Sequence, residues 1–390
     1  MSKLASTFEF VGKIQTMKDA TLNQVGKLGA TWQGSSYKAI LMNDNGSHFL
    51  DFFGMDAKNG VNFLPRTIKM GDLEYEVSYE DRQNPEVLKK VPNQYKSIVK
   101  LLGEENEFIF QNDFMNFIYA SIPTWKDKYF RVRGRVEFNM GKDNKVNYRK
   151  FRPNYIEEIT EADMKSYPNQ SKVNLQLFYP EGTLMSELFK GNEIDTDLLA
   201  SMEYKIPLTV FVEQANTNKD TKTNFPTLYL PLEVMFDFSR YDLTNETHRR
   251  MMRYMLNNFN VEGDNVFTSC WSLVDVNKQE KIEYSEADIE AMLTPEEKEA
   301  IEIWGLSKEE VIARKNGQSV YGDRVTQLKL VTPNTMMLFR EVADTVDKLS
   351  LEIYKNISTP TAEPVKKAEP KPTAQTNGTI NMDDFAGLVG

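Results

Sequence analysis

Residues 126–152 read KDKYFRVRGRVEFNMGKDNKVNYRKFR, with ten Lys or Arg against three Asp or Glu, a local formal charge of 10 − 3 = +7 in a chain of net charge −10. Alternation along residues 129–138 puts Phe130, Val132, Gly134, Val136 and Phe138 on one side. Tyr129, Arg131, Arg133, Arg135 and Glu137 fall on the other, because side chains alternate across a strand. Neighbouring arginines on that side stand about 6–7 Å apart, close to the spacing of phosphates along a nucleic-acid strand. Arginine suits such a backbone, since its planar fork binds phosphate and stacks on bases. Tyr148, Arg149, Lys150 and Arg152 add more of both types. Cations that follow a backbone, interleaved with rings for bases, are what binding of single-stranded nucleic acid requires. The competing reading is that these arginines pair with acidic residues on a neighbouring strand.

Other residues extend or limit this chemistry. Trp32 and Tyr37 stand in and beside the Gly-rich segment GKLGATWQGSS, where a ring either stacks on a base or packs the end of a small barrel. Arg249, Arg250 and Arg253 cluster in HRRMMRYML, a sequence that reads as a solvated basic helix face. A single cysteine, Cys270, excludes an internal disulfide, and with only His48 and His248 beside it a Cys/His zinc site cannot be assembled. Neither a phosphate-binding GxxxxGK[ST] loop, nor HExxH, nor GxSxG occurs, and no cofactor is implied. Glu74/Glu76 and Asp44/Asp51 are the carboxylate pairs that a metal-dependent nuclease would use, but such pairs arise by chance among 57 acidic residues. The expectation is a binding protein rather than an enzyme.

The elements that must position the strip are mostly strands. FEFVGKIQ alternates with period two, and YKAILMND and HFLDFFG are joined by NDNG, a hairpin signal. Residues 84–119 read mainly as helix, with Phe110, Phe114, Phe117 and Ile118 at helical spacing. Further strands follow to TLYLPLEVMFDF, then a helix over 242–259 and the strand VFTSCWSLVDV. Thr294-Pro295-Glu296-Glu297 and Ser307–Glu310 are helix-start boxes around the helix stop Gly305, within a helical stretch over 285–315. The strand VTQLKLV and a helix near 336–355 close the folded part. The seven residues FEFVGKI at Phe8 and FRVRGRV at Phe130 echo each other, which is either a trace of duplicated domains or two unrelated strands with a bulge each. The fold class expected is α+β and β-rich: one or two OB-like barrels with helical insertions and a disordered C-terminal tail. The expected sections are 1–120 and 121–283, both β-rich, and 284–356, helical. They are followed by a Pro-rich linker over 357–380 and an acidic, apolar tip over 381–390.

This order of a β-rich body with a basic strip, a Pro-rich linker and NMDDFAGLVG resembles bacterial and bacteriophage single-stranded DNA-binding proteins built on OB-folds. Met382, Asp383, Asp384 and Phe385 carry the tip resemblance. Relatives of the bacterial type end on the Phe, whereas Ala386–Gly390 follow here, and the body is about twice the length of a one-barrel member. The resemblance implies sequence-nonspecific binding of single-stranded DNA in replication, recombination or repair. It also implies recruitment of partner proteins through Asp383, Asp384 and Phe385. The absence of an apolar leader or membrane span puts the expected location in the cytoplasm, the host's if the chain is phage-encoded. A structural or assembly protein with no affinity for DNA is the alternative, and a nuclease or strand-annealing factor a third reading.

Overall fold

The computed structural model describes residues 6–17, 21–25, 31–71, 73–140, 146–217, 221–281, 291, 293–305, 307–308, 311, 321–334 and 337–358. The expected tail, with its linker and tip, and the second helix-start box at Ser307–Glu310 lie wholly or largely outside these residues.

The principal strands of the N-terminal part are β1 (Thr7–Thr16), β2 (Trp32–Asn43), β3 (Gly46–Asn59), β4 (Ser97–Leu101), β5 (Glu104–Phe108), β6 (Tyr129–Met140) and β7 (Val146–Ile159). Those that follow are β8 (Ser171–Tyr179), β9 (Lys205–Ala215), β10 (Thr227–Asp237), β11 (Phe267–Lys281) and β12 (Tyr321–Pro333). The longer helices are α1 (Gln111–Ser121), α2 (Glu246–Asn257) and α3 (Pro295–Trp304).

These strands belong to one continuous 15-stranded sheet rather than to one or two free-standing barrels, and two short hairpins, Arg66–Met70 with Leu73–Val77 and Phe189–Lys190 with Glu193–Ile194, stand outside it. The reason is that edges are shared: β1 pairs with β2, β6 and also β8, and β3 touches β11 at Gly46 and Asn277. Within this sheet two sets of pairings return to their starting strand. In the first, β1 pairs β2, β2 pairs β3, β3 runs parallel to β7, β7 pairs β6, and β6 pairs β1. In the second, β8, β9, β10, β12 and β11 follow the same order, again with a parallel third-to-fifth contact, Met235 to Lys329. A helix stands between the third and fourth strands of each circuit. Helix α1 buries Phe114, Met115 and Ile118, and α2 buries Met252, Met255 and Leu256.

The echoing motifs turn out to be partners. Phe8 faces Gly134 and Phe130 faces Gly12 across the antiparallel β1–β6 pair. A side chain at Gly134 would strike the Arg152 carbonyl and the Phe8 ring, and one at Gly12 would strike the Met42 carbonyl. Glycine is thus required where backbones approach closely, and the Phe8 ring fills the space that Gly134 leaves. The pairing register of β6 with β7 also shifts at Arg133/Gly134, where the strand bends.

Two helical expectations are corrected. Most of 84–119 is not helix: β4 and β5 form a hairpin, with β4 parallel to β7. The helical spacing around Phe114 belongs to α1 alone, because Ile98 and Val99 gain more from sheet pairing and burial than from local propensity. Near 336–355 the described residues hold only a two-residue strand, Glu341–Val342, and helical turns from Ser350 to Ser358. Elsewhere the start signals operate as written. Thr294 and Glu297 form a reciprocal capping box on α3, and Gly305 ends it in the left-handed conformation at φ 63°.

Candidate nucleic-acid interface

The outer surface of the first circuit carries a band of cations lying against rings. On β6, Arg131, Arg133 and Arg135 all face outward, as alternation requires. Their surroundings differ. Arg131 donates to Glu9 at 2.8 Å and lies 3.5 Å from Glu157, so its charge is largely spent within the protein. Arg133 lies 3.7 Å from Glu9 and stacks over the Tyr155 ring at 4.1 Å. Arg135 is exposed, has no ion pair among the described residues, and stands opposite Arg152 on β7. With Lys172 on β8, Arg133 and Arg135 line a cleft of about 340 Å³. The expected competition between phosphate binding and internal pairing thus resolves residue by residue along one strand.

The band continues around β7 onto β3 and β2. Arg152 donates to Glu137 at 2.6 Å and covers the Phe53 ring at 4.9 Å, while Asp51 stands 3.8 Å away. Among the described residues the buried Arg133 Nε and Arg152 Nη1 atoms, like Arg149 Nε, have no hydrogen-bond acceptor. Lys150 is half-buried on the same side of β7. Trp32, Ser36 and Lys38 of β2 stand opposite Ala57, Phe53 and Asp51 of β3, and Phe53 and Met55 are exposed. Phe49, further along β3, lies under Arg324 of β12 at 5.7 Å, so the second circuit reaches the band there. Lys13 sits over Tyr129 at 4.9 Å. Each such contact holds a ring and a cation together, a geometry worth about 0.5–1 kcal/mol at exposed sites.

Phe49, Phe53, Met55 and Arg324 were not singled out from the sequence. HFLDFFGM alternates His48, Leu50 and Phe52 with Phe49, Asp51 and Phe53, so the outward rings were legible as one half of a period-two pattern. Six expected site residues are placed differently or not described. Tyr37 is buried against Phe52 and Tyr119, and burial, with Tyr119 beside it, pushes its hydroxyl pKa up. It shares the inward parity of Ala39 and Leu41, whereas Trp32 has the outward parity. Arg149 turns inward to a buried carboxylate, because it alternates with the outward Lys150 and Arg152 and stands opposite the buried Phe138. The Tyr148 backbone pairs with Asn139, and its side chain lies outside the described residues. Asp383, Asp384 and Phe385 lie outside them altogether.

The Arg149 partner belongs to a polar network at the junction of the circuits. Arg149 donates to Asp275 Oδ1 at 2.5 Å, and His48 Nδ1 donates to Asp275 Oδ2 at 2.9 Å. His48 Nε2 accepts from the Ser171 hydroxyl at 2.8 Å, and Asn43 Nδ2 donates to the same hydroxyl oxygen at 2.8 Å. Burial would raise the Asp275 pKa, but the Arg149 charge and the His48 hydrogen bond outweigh it and hold the carboxyl below its ordinary value. The order Ser–His–Asp matches a hydrolase relay. Here Ser171 and His48 are wholly buried, and the hydroxyl is occupied on both sides, so no substrate carbonyl reaches it. The network joins β2, β3 and β7 to β8 and β11.

Among the described residues no group of His, Cys, Asp and Glu converges as metal ligands would, and no helix is long and apolar enough to cross a membrane.

No protein-family profile matches the sequence, and no curated protein matches it. Among solved structures, a deletion variant of the single-stranded DNA-binding protein from Thermus aquaticus aligns over 70% of this chain and 87% of that chain, at 10% identity and a TM-score of 0.22. A superposition that loose leaves the fold to be described from the strand pairings above.

Proposed function

We propose that this chain binds single-stranded DNA, without sequence preference and without catalysing a reaction, across the band on the first circuit. The observation that carries the reading is the pairing of outward rings with partly exposed guanidinium groups: Arg152 over the exposed Phe53 and Arg133 over the half-buried Tyr155, with Arg135 free of ion pairs among the described residues. Phosphates would bind the outward guanidinium edges of Arg133 and Arg135, and unstacked bases would lie on Phe53, Trp32 and Tyr155. Duplex DNA keeps its base faces stacked and out of reach of those rings, so the single strand is preferred. The repeated strand order, with a helix between third and fourth strands, supports reading each circuit as an OB-like unit inside the shared sheet. A role in replication or recombination, with partner proteins recruited by residues 381–390, extends this reading.

The test is fluorescence anisotropy of a labelled oligothymidylate titrated with protein at several salt concentrations, with duplex as competitor. Salt-sensitive binding that duplex fails to displace is expected. No binding at low salt would remove the reading and leave a structural or assembly role.

A further inference from the structure

We propose that the outward face of α2 is a docking site for residues 381–390 of this same chain. The helix starts at Asn245, whose side chain accepts from the Thr247 and His248 amides, and its Met252, Met255 and Leu256 are buried. That seating leaves two adjacent stripes outward. One holds Arg249, Arg250 and Arg253 beside a cleft of about 610 Å³. Arg253 is held by Glu193 at 2.6 Å, whereas Arg249 and Arg250 have no ion pair among the described residues. The other stripe is apolar: Met251 is 47% exposed, Tyr254 41%, and Phe339 beside it 68%. The Tyr254 hydroxyl donates to the Leu338 carbonyl at 2.9 Å, which fixes its ring 6.4 Å from Phe339.

The occupant must be acidic and apolar within a few residues. NMDDFAGLVG supplies Asp383 and Asp384 for the arginines, and Phe385 and Leu388 for Met251, Tyr254 and Phe339. Its reach suffices. Ser358 and Asp383 are 383 − 358 = 25 residues apart. At about 3.1 Å per residue, a Pro-rich extended chain of that length spans up to roughly 75 Å. Helical turns just before Ser358 pack on β10, and Tyr354 lies 6.5 Å from the Phe211 ring of β9. Tethering of this kind gives an effective concentration on the order of millimolar, enough to make a weak contact persist. The site lies on the second circuit, apart from the DNA band, and does not rest on the DNA reading.

The probe is a fluorescein-labelled peptide of residues 379–390, titrated into full-length protein carrying Asp383→Lys and Asp384→Lys, which vacates the site. Salt-sensitive binding is expected, weakened at least tenfold by adding Arg249→Glu/Arg250→Glu or, separately, Tyr254→Ala/Phe339→Ala. Unchanged thermal melts confirm that these surface variants fold. The wild-type chain should take up the peptide more weakly, by an amount independent of protein concentration, because its own segment competes. No binding to the vacated chain at low salt, or binding indifferent to both pairs of α2 changes, would overturn the proposal. Competition that grows with protein concentration would overturn its intramolecular form. Oligothymidylate binding is measured separately, so failure here is distinguishable from failure of the DNA reading.

Discussion

The two circuits share a strand order and differ at the same place within it. Each has a carboxylate on its third strand facing a cation on its fifth. In the second circuit Asp237 and Lys329 meet at 2.6 Å, and, against burial, the Lys329 and Ser239 hydrogen bonds bring the Asp237 pKa down to about 2. In the first circuit Asp51 and Arg152 stand 3.8 Å apart, and the guanidinium turns instead to Glu137 and the Phe53 ring. The outer faces diverge in the same sense. On the second circuit Phe211 and Tyr229 are partly buried under the segment containing Ala343, Val346, Leu351 and Tyr354. On the first, Phe53 and Met55 of the corresponding strand are exposed. One architecture, used twice, is covered by the chain itself in one copy and left exposed in the other. The comparison teaches that a cation is informative about binding only once its internal partners are known.

The largest expected effect tests what holds the unlike halves together. Removing Arg149 (Arg149→Ala) leaves Asp275 buried with an incomplete set of partners. Losing one member of a buried pair costs about 3–5 kcal/mol, and urea unfolding should register most of it. A change under about 1 kcal/mol would mean that the junction network is not what couples the circuits.

Next in size is stacking. Phe53→Ala should weaken oligothymidylate binding by about 1–3 kcal/mol, the usual cost of a lost base–ring contact. Thr209→Ala, on the corresponding face of the second circuit, should leave affinity unchanged. Equal losses from both would erase the contrast between open and closed faces.

Charge comes third, and it separates residues of one strand. Arg135→Ala should reduce the slope of log affinity against log salt by about 0.7, the value for one phosphate contact on a single strand. Arg131→Ala should reduce it by less, because Glu9 and Glu157 already hold that guanidinium. If Arg131 mattered more, internal pairing would be the wrong guide to the interface.

The smallest effect is acid sensitivity of the closed circuit. A carboxyl with a depressed folded pKa contributes stability above its unfolded value near 3.9 and loses it as pH falls through the folded one. Stability should therefore decline between about pH 4 and pH 2, and Asp237→Asn should flatten that part of the decline. An unaltered pH profile in the variant would show that the Lys329 contact contributes little.

Much of this was legible in the sequence, and the gaps have physical causes. Period-two alternation located β1, β3, β6, β11 and β12, and the capping chemistry of Thr294–Glu297 located α3, because both signals are local. The outward row of β6 was correct, but the fate of each arginine depended on Glu9, over a hundred residues away in the chain. Arg149 was misplaced because residues 148–152 were taken as one basic patch, whereas alternation sets Arg149 with Phe151 on the inward side. The hairpin within 84–119 was hidden by its short strands, whose pairing with β7 is non-local. The FxxxG echo was visible, yet only the register shows that its two copies fit against each other. His48 gave no signal at all, since a lone histidine announces no partners.

That first pair of strands also dictates when the chain can fold. The last residue of β1 is Thr16, and its circuit closes only when β7 is complete at Ile159, 159 − 16 = 143 residues later. At about 5–20 residues per second, the circuit that begins with β1 waits roughly 7–30 s during synthesis for its closing strand. Throughout that interval Phe8, Phe10 and Ile14 form an apolar strand without its final neighbours. High contact order of this kind slows folding and invites misassembly in crowded translation. A circular permutant that begins between β5 and α1 would place β6 and β7 first and shorten the delay before β1 meets β6.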